Sequence, residues 1–172
     1  EKNLYQISEK GTSQNQIQTF QTSVEEAIEL AKKAFEKDSS VVGISSDFTD
    51  LDAKLGGFHP SDLIIIAGRP SMGKTSLATN IAFNIARNAH ISKDMNASVL
   101  FFSLEMSSEQ LARRILSEQA RISSNDIRRG NLSENDLDNL VSVSKDILEI
   151  PLFIDDTPAV NIGTLSSRAR RL

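Results

Sequence analysis

The sequence has 172 residues, a formal charge of −4, 39% hydrophobic residues and neither cysteine nor tryptophan. That suits one domain, or one domain with an attached arm, and it excludes a disulfide framework, a thiolate metal site and a cysteine nucleophile. The acidic balance argues against a surface coated in nucleic acid but leaves room for a local basic groove or a nucleotide site.

The chain opens at Glu1 in mid-stride and reads as part of something longer. It shows no signal peptide and no apolar run near the ~20 residues a membrane helix needs, so a cytoplasmic, membrane-free protein is expected. Residues 11–21 are polar and rich in Gln, Ser and Thr, as linkers are. Ser23 with Glu26 then predicts a capping box. Val24, Ala27, Ile28, Ala31, Ala34 and Phe35 continue it at helical spacing. Residues 1–40 are therefore read as the end of a preceding region, a linker and a linker helix. Its apolar stripe packs on its own domain or on a neighbouring subunit; flexible tethers on both sides allow either.

From Val41 to Leu172 the pattern is that of an α/β domain. A short helix over 48–55 should stop at Gly56-Gly57. Leu63 to Ala67 predicts a strand. A helix from the Gly-Lys-Thr to about Asn88 follows, with Leu77, Ala78, Ile81, Ala82, Ile85 and Ala89 on one side. The run 97–105 predicts a strand buried on both faces. Ser107 with Gln110 opens a capped helix. After a Gly130-Asn131 turn comes a helix over 134–149, with Leu137, Leu140, Val141, Ile147 and Leu148 inward. Pro151 ends it, and 152–156 is a third strand. Strands alternating with helices mean a parallel sheet flanked by helices.

Between the first strand and its helix stands Gly68-Arg69-Pro70-Ser71-Met72-Gly73-Lys74-Thr75, followed by Ser76. It matches G-x-x-x-x-G-K-[ST] at every fixed position, in the strand–loop–helix context that the motif requires. Such a loop turns successive backbone N–H groups inward around a phosphate, and its glycines permit close approach and unusual dihedrals. The helix that follows offers its positive end to the same anion. Lys74 is expected to run along the phosphates of ATP, and Thr75 to place its hydroxyl on Mg²⁺.

The second strand ends in Ser103-Leu104-Glu105-Met106. A carboxylate there lies on the sheet edge where phosphate loops open. Glu105 is either a general base for the attacking water or an ordinary surface glutamate. The stretches 63–76, 100–114 and 151–172, in this order and spacing, resemble the DnaB family of replicative DNA helicases. The resemblance runs from about Ser23 to the end of the chain. It implies a RecA-like phosphate-loop NTPase fold, here incomplete on its C-terminal side, and a homo-hexameric ring that drives single-stranded DNA through its centre. By the same resemblance Glu105 is the catalytic base and Arg114 lies by the base or sugar of the nucleotide. The helix at Ser23–Phe35 docks on the adjacent subunit, and primase and a helicase loader are partners. One departure is Asp47-Phe48, where the family often has Gly-Phe; a different turn is expected there.

Asp155 and Asp156 look like the acidic, Mg²⁺-ordering strand end that such motors need. The resemblance places that aspartate beyond Leu172, together with the DNA-gripping loops and the arginine finger, and leaves Asp155 and Asp156 to strand-end hydrogen bonding. An arginine finger supplies ~10³–10⁵ in rate, or ~4–7 kcal/mol of barrier. These 172 residues alone are thus expected to bind nucleotide weakly and to unwind nothing. The pairs Arg113/Arg114 and Arg128/Arg129 and the trio Arg168/Arg170/Arg171 lack interleaved aromatics, so salt bridges or subunit contacts are expected of them rather than base stacking. His59 and His90 are given no role. Two alternatives stay open: a RecA-like ATPase of recombination or clock type, and a non-catalytic, nucleotide-gated interaction module.

Overall fold

The structure is a computed structural model and describes residues 19–36, 41–92 and 98–172. The expected linker over 11–21 therefore lies almost wholly outside the described residues. Two units divide between Val42 and Gly43. In the first, helix α1 spans Phe20–Glu36. It starts earlier than the sequence suggests: Thr22 N donates to Thr19 Oγ1 at 3.3 Å, and Ser23 Oγ donates to Thr19 O at 3.3 Å. Ser23 is thus inside the first turn rather than its cap, and Glu25 and Glu26 fall in the second. The hydroxyl of Thr19 starts the helix because it stands where the free N–H groups are. Along α1 the side chains of Val24, Ala27, Ile28, Ala31 and Phe35 are exposed.

The second unit begins with an antiparallel bridge between Ile44 and Phe58. Gly43 is required here, since a Cβ would meet Phe58 O at 2.6 Å. Helix α2, Thr49–Leu55, ends at Gly56 with φ 70°, as its sequence predicts. The carboxylate of Asp52 is buried and accepts from Ser45 Oγ (2.6 Å), Ser46 N (2.9 Å) and Ser46 Oγ (2.7 Å). Burial raises its pKa, but these hydrogen bonds outweigh it and hold the group below the usual carboxylate range. Asp47 takes φ 66° and pairs with Arg87 at 2.9 Å. That dihedral is in the left-handed region, which glycine favours and aspartate tolerates.

Helix α3 spans Lys74–Ser92, four residues beyond the expected end. It buries Thr79, Ala82, Phe83, Ala86 and Ala89. Of the predicted stripe only Ala82 and Ala89 are buried; Leu77, Ala78, Ile81 and Ile85 line an open cavity of about 420 Å³ with Ile64, Ile66, Val99 and Phe101. Strand β1, Val99–Phe102, pairs in parallel with β2, Leu152–Asp155, in the register Val99 to Leu152 through Phe102 to Asp155. Three helices connect them: α4, Ser108–Ala120, α5, Ser124–Arg129, and α6, Glu134–Ile147. Helix α7, Ile162–Ala169, follows β2 with Asn161 as its cap.

One expected strand is missing from the sheet. Leu63–Ala67 belongs to no ladder, and Leu63 and Ile65 are 85% and 78% exposed. A strand exists through its neighbour's N–H and C=O groups, and no described segment pairs with 63–67. The apolar sequence is present; the hydrogen-bonding partner is not among the described residues.

The core lies where α4 meets α3, with Leu111 and Ile115 of α4 and Ala82, Phe83 and Ala86 of α3 buried. Truncating a buried leucine such as Leu111 costs about 2–5 kcal/mol. The expected inward face of α6 is only half realised: Leu140 and Ile147 are half-buried, but Leu137, Val141 and Leu148 are exposed. Among the described residues α6 has a substantial packing partner only in α4, so most of its stripe has nothing to cover it. Helices α5 and α7 are absent from the sequence reading, the first being only six residues long.

Candidate functional site

The loop 68–73 joins the unpaired segment 63–67 to the first turn of α3. Ser71 and Gly73 take φ 64° and 86°, and Leu77 N donates to Gly73 O at 2.9 Å. Glycine is required at 73 by this dihedral. At 68 it is not forced by space, because an added Cβ would meet nothing closer than Lys74 Cγ at 3.7 Å. The Lys74 stem lies against Gly68, and its Nζ donates to Gly68 O and Arg69 O, each at 3.0 Å. Both partners are neutral carbonyls rather than carboxylates. An ammonium so held can exchange these bonds for stronger ones to anionic oxygens.

Thr75 and Ser76 are half-buried in the same turn. Arg114 reaches across from α4, and its Nη1 donates to Ser76 Oγ at 3.1 Å. It is therefore neither a solvated side chain nor remote from the loop.

Glu105 sits on the turn that connects β1 to α4 and is exposed. Lys74, Thr75, Ala78, Glu105, Ile66 and Phe101 all line one cavity of about 330 Å³. The structure thus brings Lys74 and Thr75, from the first turn of α3, and Glu105, from the turn after β1, to a common space. Arg69, Pro70, Ser71 and Met72 stay exposed on the loop's outer course, where their backbone rather than their side chains can serve. Donors, an ammonium and a hydroxyl on one wall, with a carboxylate on the other, form a set that fits a triphosphate, a divalent cation and an attacking water. Among the described residues no cluster of three or more His, Asp or Glu could by itself hold a metal; Thr75 would share a cation with the phosphates.

The two aspartates at the end of β2 are both engaged. Asp155 is paired with Arg168, and Thr157 N donates to it at 3.1 Å. Hydrogen bonds from Thr157 and then Arg168 hold its carboxyl down at about 2. Asp156 Oδ2 accepts from Ser108 N at 2.7 Å; this backbone hydrogen bond lowers its pKa. Other arginines form local links, Arg113 with Glu109 at 3.4 Å and Arg128 with Asn125 at 3.2 Å.

Sequence reasoning missed one member of the neighbourhood, Ser103. It is 7% exposed, accepts from Met106 N at 3.1 Å and donates to Met106 O at 2.6 Å. A serine at a strand end, ready to bond a backbone group a few residues on, is the signal that could have found it.

Comparison with known proteins gives a consistent result. Residues 43–172 match the family described as DnaB-like helicase C terminal domain. The chain is 44% identical over 176 residues to the replicative DNA helicase DnaB of Rickettsia typhi, covering all of this chain and 35% of that protein. It is 39% identical over 172 residues to the protein of that name from Synechocystis sp., covering all of this chain and 19% of the relative. The chain thus spans about a third or less of the curated relatives it matches. Among solved structures it resembles one described as an ATPase domain, with a TM-score of 0.75 at 26% identity, over 86% of this chain and 50% of that one. It also resembles a DnaB-like replicative helicase whose structure describes its interactions with primase, with a TM-score of 0.72 at 27% identity, over 97% and 38%. The fold is that of these RecA-like ATPase domains. No described helix is long and apolar enough to cross a membrane.

Proposed function

The chain belongs to the family of DnaB-like helicase C-terminal domains, and on that premise we propose that it is the nucleotide-binding part of a replicative DNA helicase that hydrolyses ATP to separate the strands of DNA. The observation that carries this reading is the single cavity shared by Lys74, Thr75 and Glu105.

In the proposed reaction the amides of residues 68–73 and the Lys74 ammonium hold the phosphate chain and take up the charge that develops on it. Arg114, through Ser76, braces the turn that carries Lys74. The Glu105 carboxylate orients a water and accepts its proton as the water oxygen bonds to the γ-phosphorus. The bond from that phosphorus to its bridging oxygen breaks, and ADP leaves. A Mg²⁺ ion held by the Thr75 hydroxyl would supply charge neutralisation across the phosphates.

Around this site we place the rest of the assembly. The exposed stripe of α1 is the face that docks on a neighbouring subunit in a hexameric ring, single-stranded DNA is the track, and primase and a loader are partners. Such a protein works in the cytoplasm, on the chromosome. On its own, the 172-residue chain binds nucleotide weakly. A recombination or clock role has no observation in its favour.

The test is strand displacement. The full-length protein should part a forked duplex only with a hydrolysable nucleotide, and Lys74→Ala should abolish this while leaving the ring assembled, as judged by light scattering. Displacement that persists without nucleotide, or in Lys74→Ala, defeats the proposal.

A further inference from the structure

A carboxylate serves as a general base only if it is held within reach of the proton it takes. Glu105 is on a turn, exposed, and among the described residues nothing hydrogen-bonds to its carboxylate. Its position must therefore be set by the backbone of residues 103–107.

That backbone is anchored twice on the end of β2. At the near end Ser103 N donates to Asp155 O at 2.9 Å, carrying the ladder one step past Phe102. The Ser103 hydroxyl then closes the turn on itself through Met106 N and Met106 O, leaving Leu104 and Glu105 between. At the far end Ser108 N, a free donor of the first turn of α4, is taken by Asp156 Oδ2 at 2.7 Å, across 48 residues of sequence. The Ser107–Gln110 capping box fixes the same end, with Ser107 N on Gln110 Oε1 at 3.2 Å and Gln110 N on Ser107 Oγ at 3.3 Å. A carboxylate facing a helix start is favoured by the helix dipole as well. Of these anchors only the Asp156 side chain ties the turn's far end to the sheet.

We infer that Asp156 is a positioning residue for Glu105, with Ser103 as its counterpart at the other end of the turn. Asp156 does not touch the phosphates; it places the Glu105 turn relative to the loop bearing Lys74. The inference rests on Glu105 being the base.

The experiment is a double-mutant cycle in the full-length protein, read by steady-state and single-turnover nucleotide hydrolysis. Asp156→Ala should lower kcat roughly 10- to 100-fold, the loss expected of one charge-assisted hydrogen bond, with nucleotide Kd held within about twofold. Asp156→Asn keeps an acceptor oxygen for Ser108 N and should recover activity to within about fivefold of wild type. In a Glu105→Gln background Asp156→Ala should cost nothing further, because a misplaced base that is already gone cannot be misplaced again. Losses that multiply, a rise in Kd equal to the fall in kcat, or an Asn variant as weak as the Ala variant would each overturn the assignment. Should Asp156→Ala fail to fold by circular dichroism, Ser103→Ala against Ser103→Thr decides by the same criteria, since threonine keeps the hydroxyl. If Glu105→Gln alone hydrolyses at the wild-type rate, the general-base reading itself has failed and this inference falls with it.

Discussion

The loop 68–73 leads into Lys74 and Thr75, and the loop 103–107 carries Glu105; these three residues line one cavity, and both loops follow an apolar segment that the sequence marks as a strand. They are held by different means. The first follows the unpaired residues 63–67, is exposed along its length, and is braced chiefly by the Lys74 side chain lying on its carbonyls. The second follows a paired strand and is tied at both ends to β2. A loop whose amides and ammonium are unclaimed by strong partners is suited to hold an anion; a loop pinned to a sheet is suited to aim one group. On the proposed reading, binding falls to the first loop and bond-breaking to the second.

The sharpest way to break that division is to remove one charge from each side. Glu105→Gln keeps the shape of the side chain and should lower kcat by about 10²–10⁴, with nucleotide affinity little changed. Lys74→Ala should instead weaken nucleotide binding by roughly 10- to 100-fold, the worth of a charged hydrogen bond to an anion. Fluorescent-nucleotide titration and single-turnover hydrolysis on the full-length variants give both numbers. Equal effects on Kd from the two substitutions would dissolve the distinction.

The same contrast explains what could be read from the sequence. The loop 68–73 is legible because its chemistry is local: Gly73 must take φ 86° and Lys74 must follow it. The cap at Ser107 is legible for the same reason, closing on Gln110 three positions on. Residues 63–67 read as a strand because apolar runs do, but strand formation is settled by a partner that residue types alone cannot supply. The Asp156–Ser108 bond spans 48 residues, so the sequence showed an aspartate and not its purpose. The inward face of α6 failed similarly, since periodicity finds a stripe and not the surface that covers it. Ser23 misled by offering a good capping pattern one turn inside a helix that Thr19 had already started.

A smaller effect tests how far the second loop's helix reaches into the first loop. Arg114→Ala removes the bond to Ser76 Oγ and should cost about 1 kcal/mol of stability, seen as a fall in Tm of roughly 2–4 °C for a chain of this size. Ser76→Ala should cost a similar amount. If Arg114 also contacts nucleotide, Arg114→Ala will weaken nucleotide binding more than Ser76→Ala does, and the excess measures that contact. Identical losses of affinity confine Arg114 to bracing the turn.

The smallest expected effect lies at the outer edge of the second loop's anchorage, in the titration of Asp155. Its carboxyl is held down at about 2 against an ordinary 3.8, first by Thr157 and then by Arg168. A group depressed in the folded state adds stability that is fully present above its unfolded pKa and disappears as pH falls through the folded one. Compared with Asp155→Asn, the native chain should therefore keep a constant stability advantage above about pH 4.5 and lose it progressively toward pH 2, measured by urea unfolding at each pH. Because hydrogen bonds from Thr157 and Arg168 outrank the Arg168 charge, added salt should shift this curve only slightly, whereas Thr157→Val and Arg168→Gln should each move the loss of stability to higher pH. A curve that collapses with added salt would mean that an ion pair, and not hydrogen bonding, fixes the strand end from which Asp156 reaches the Glu105 turn.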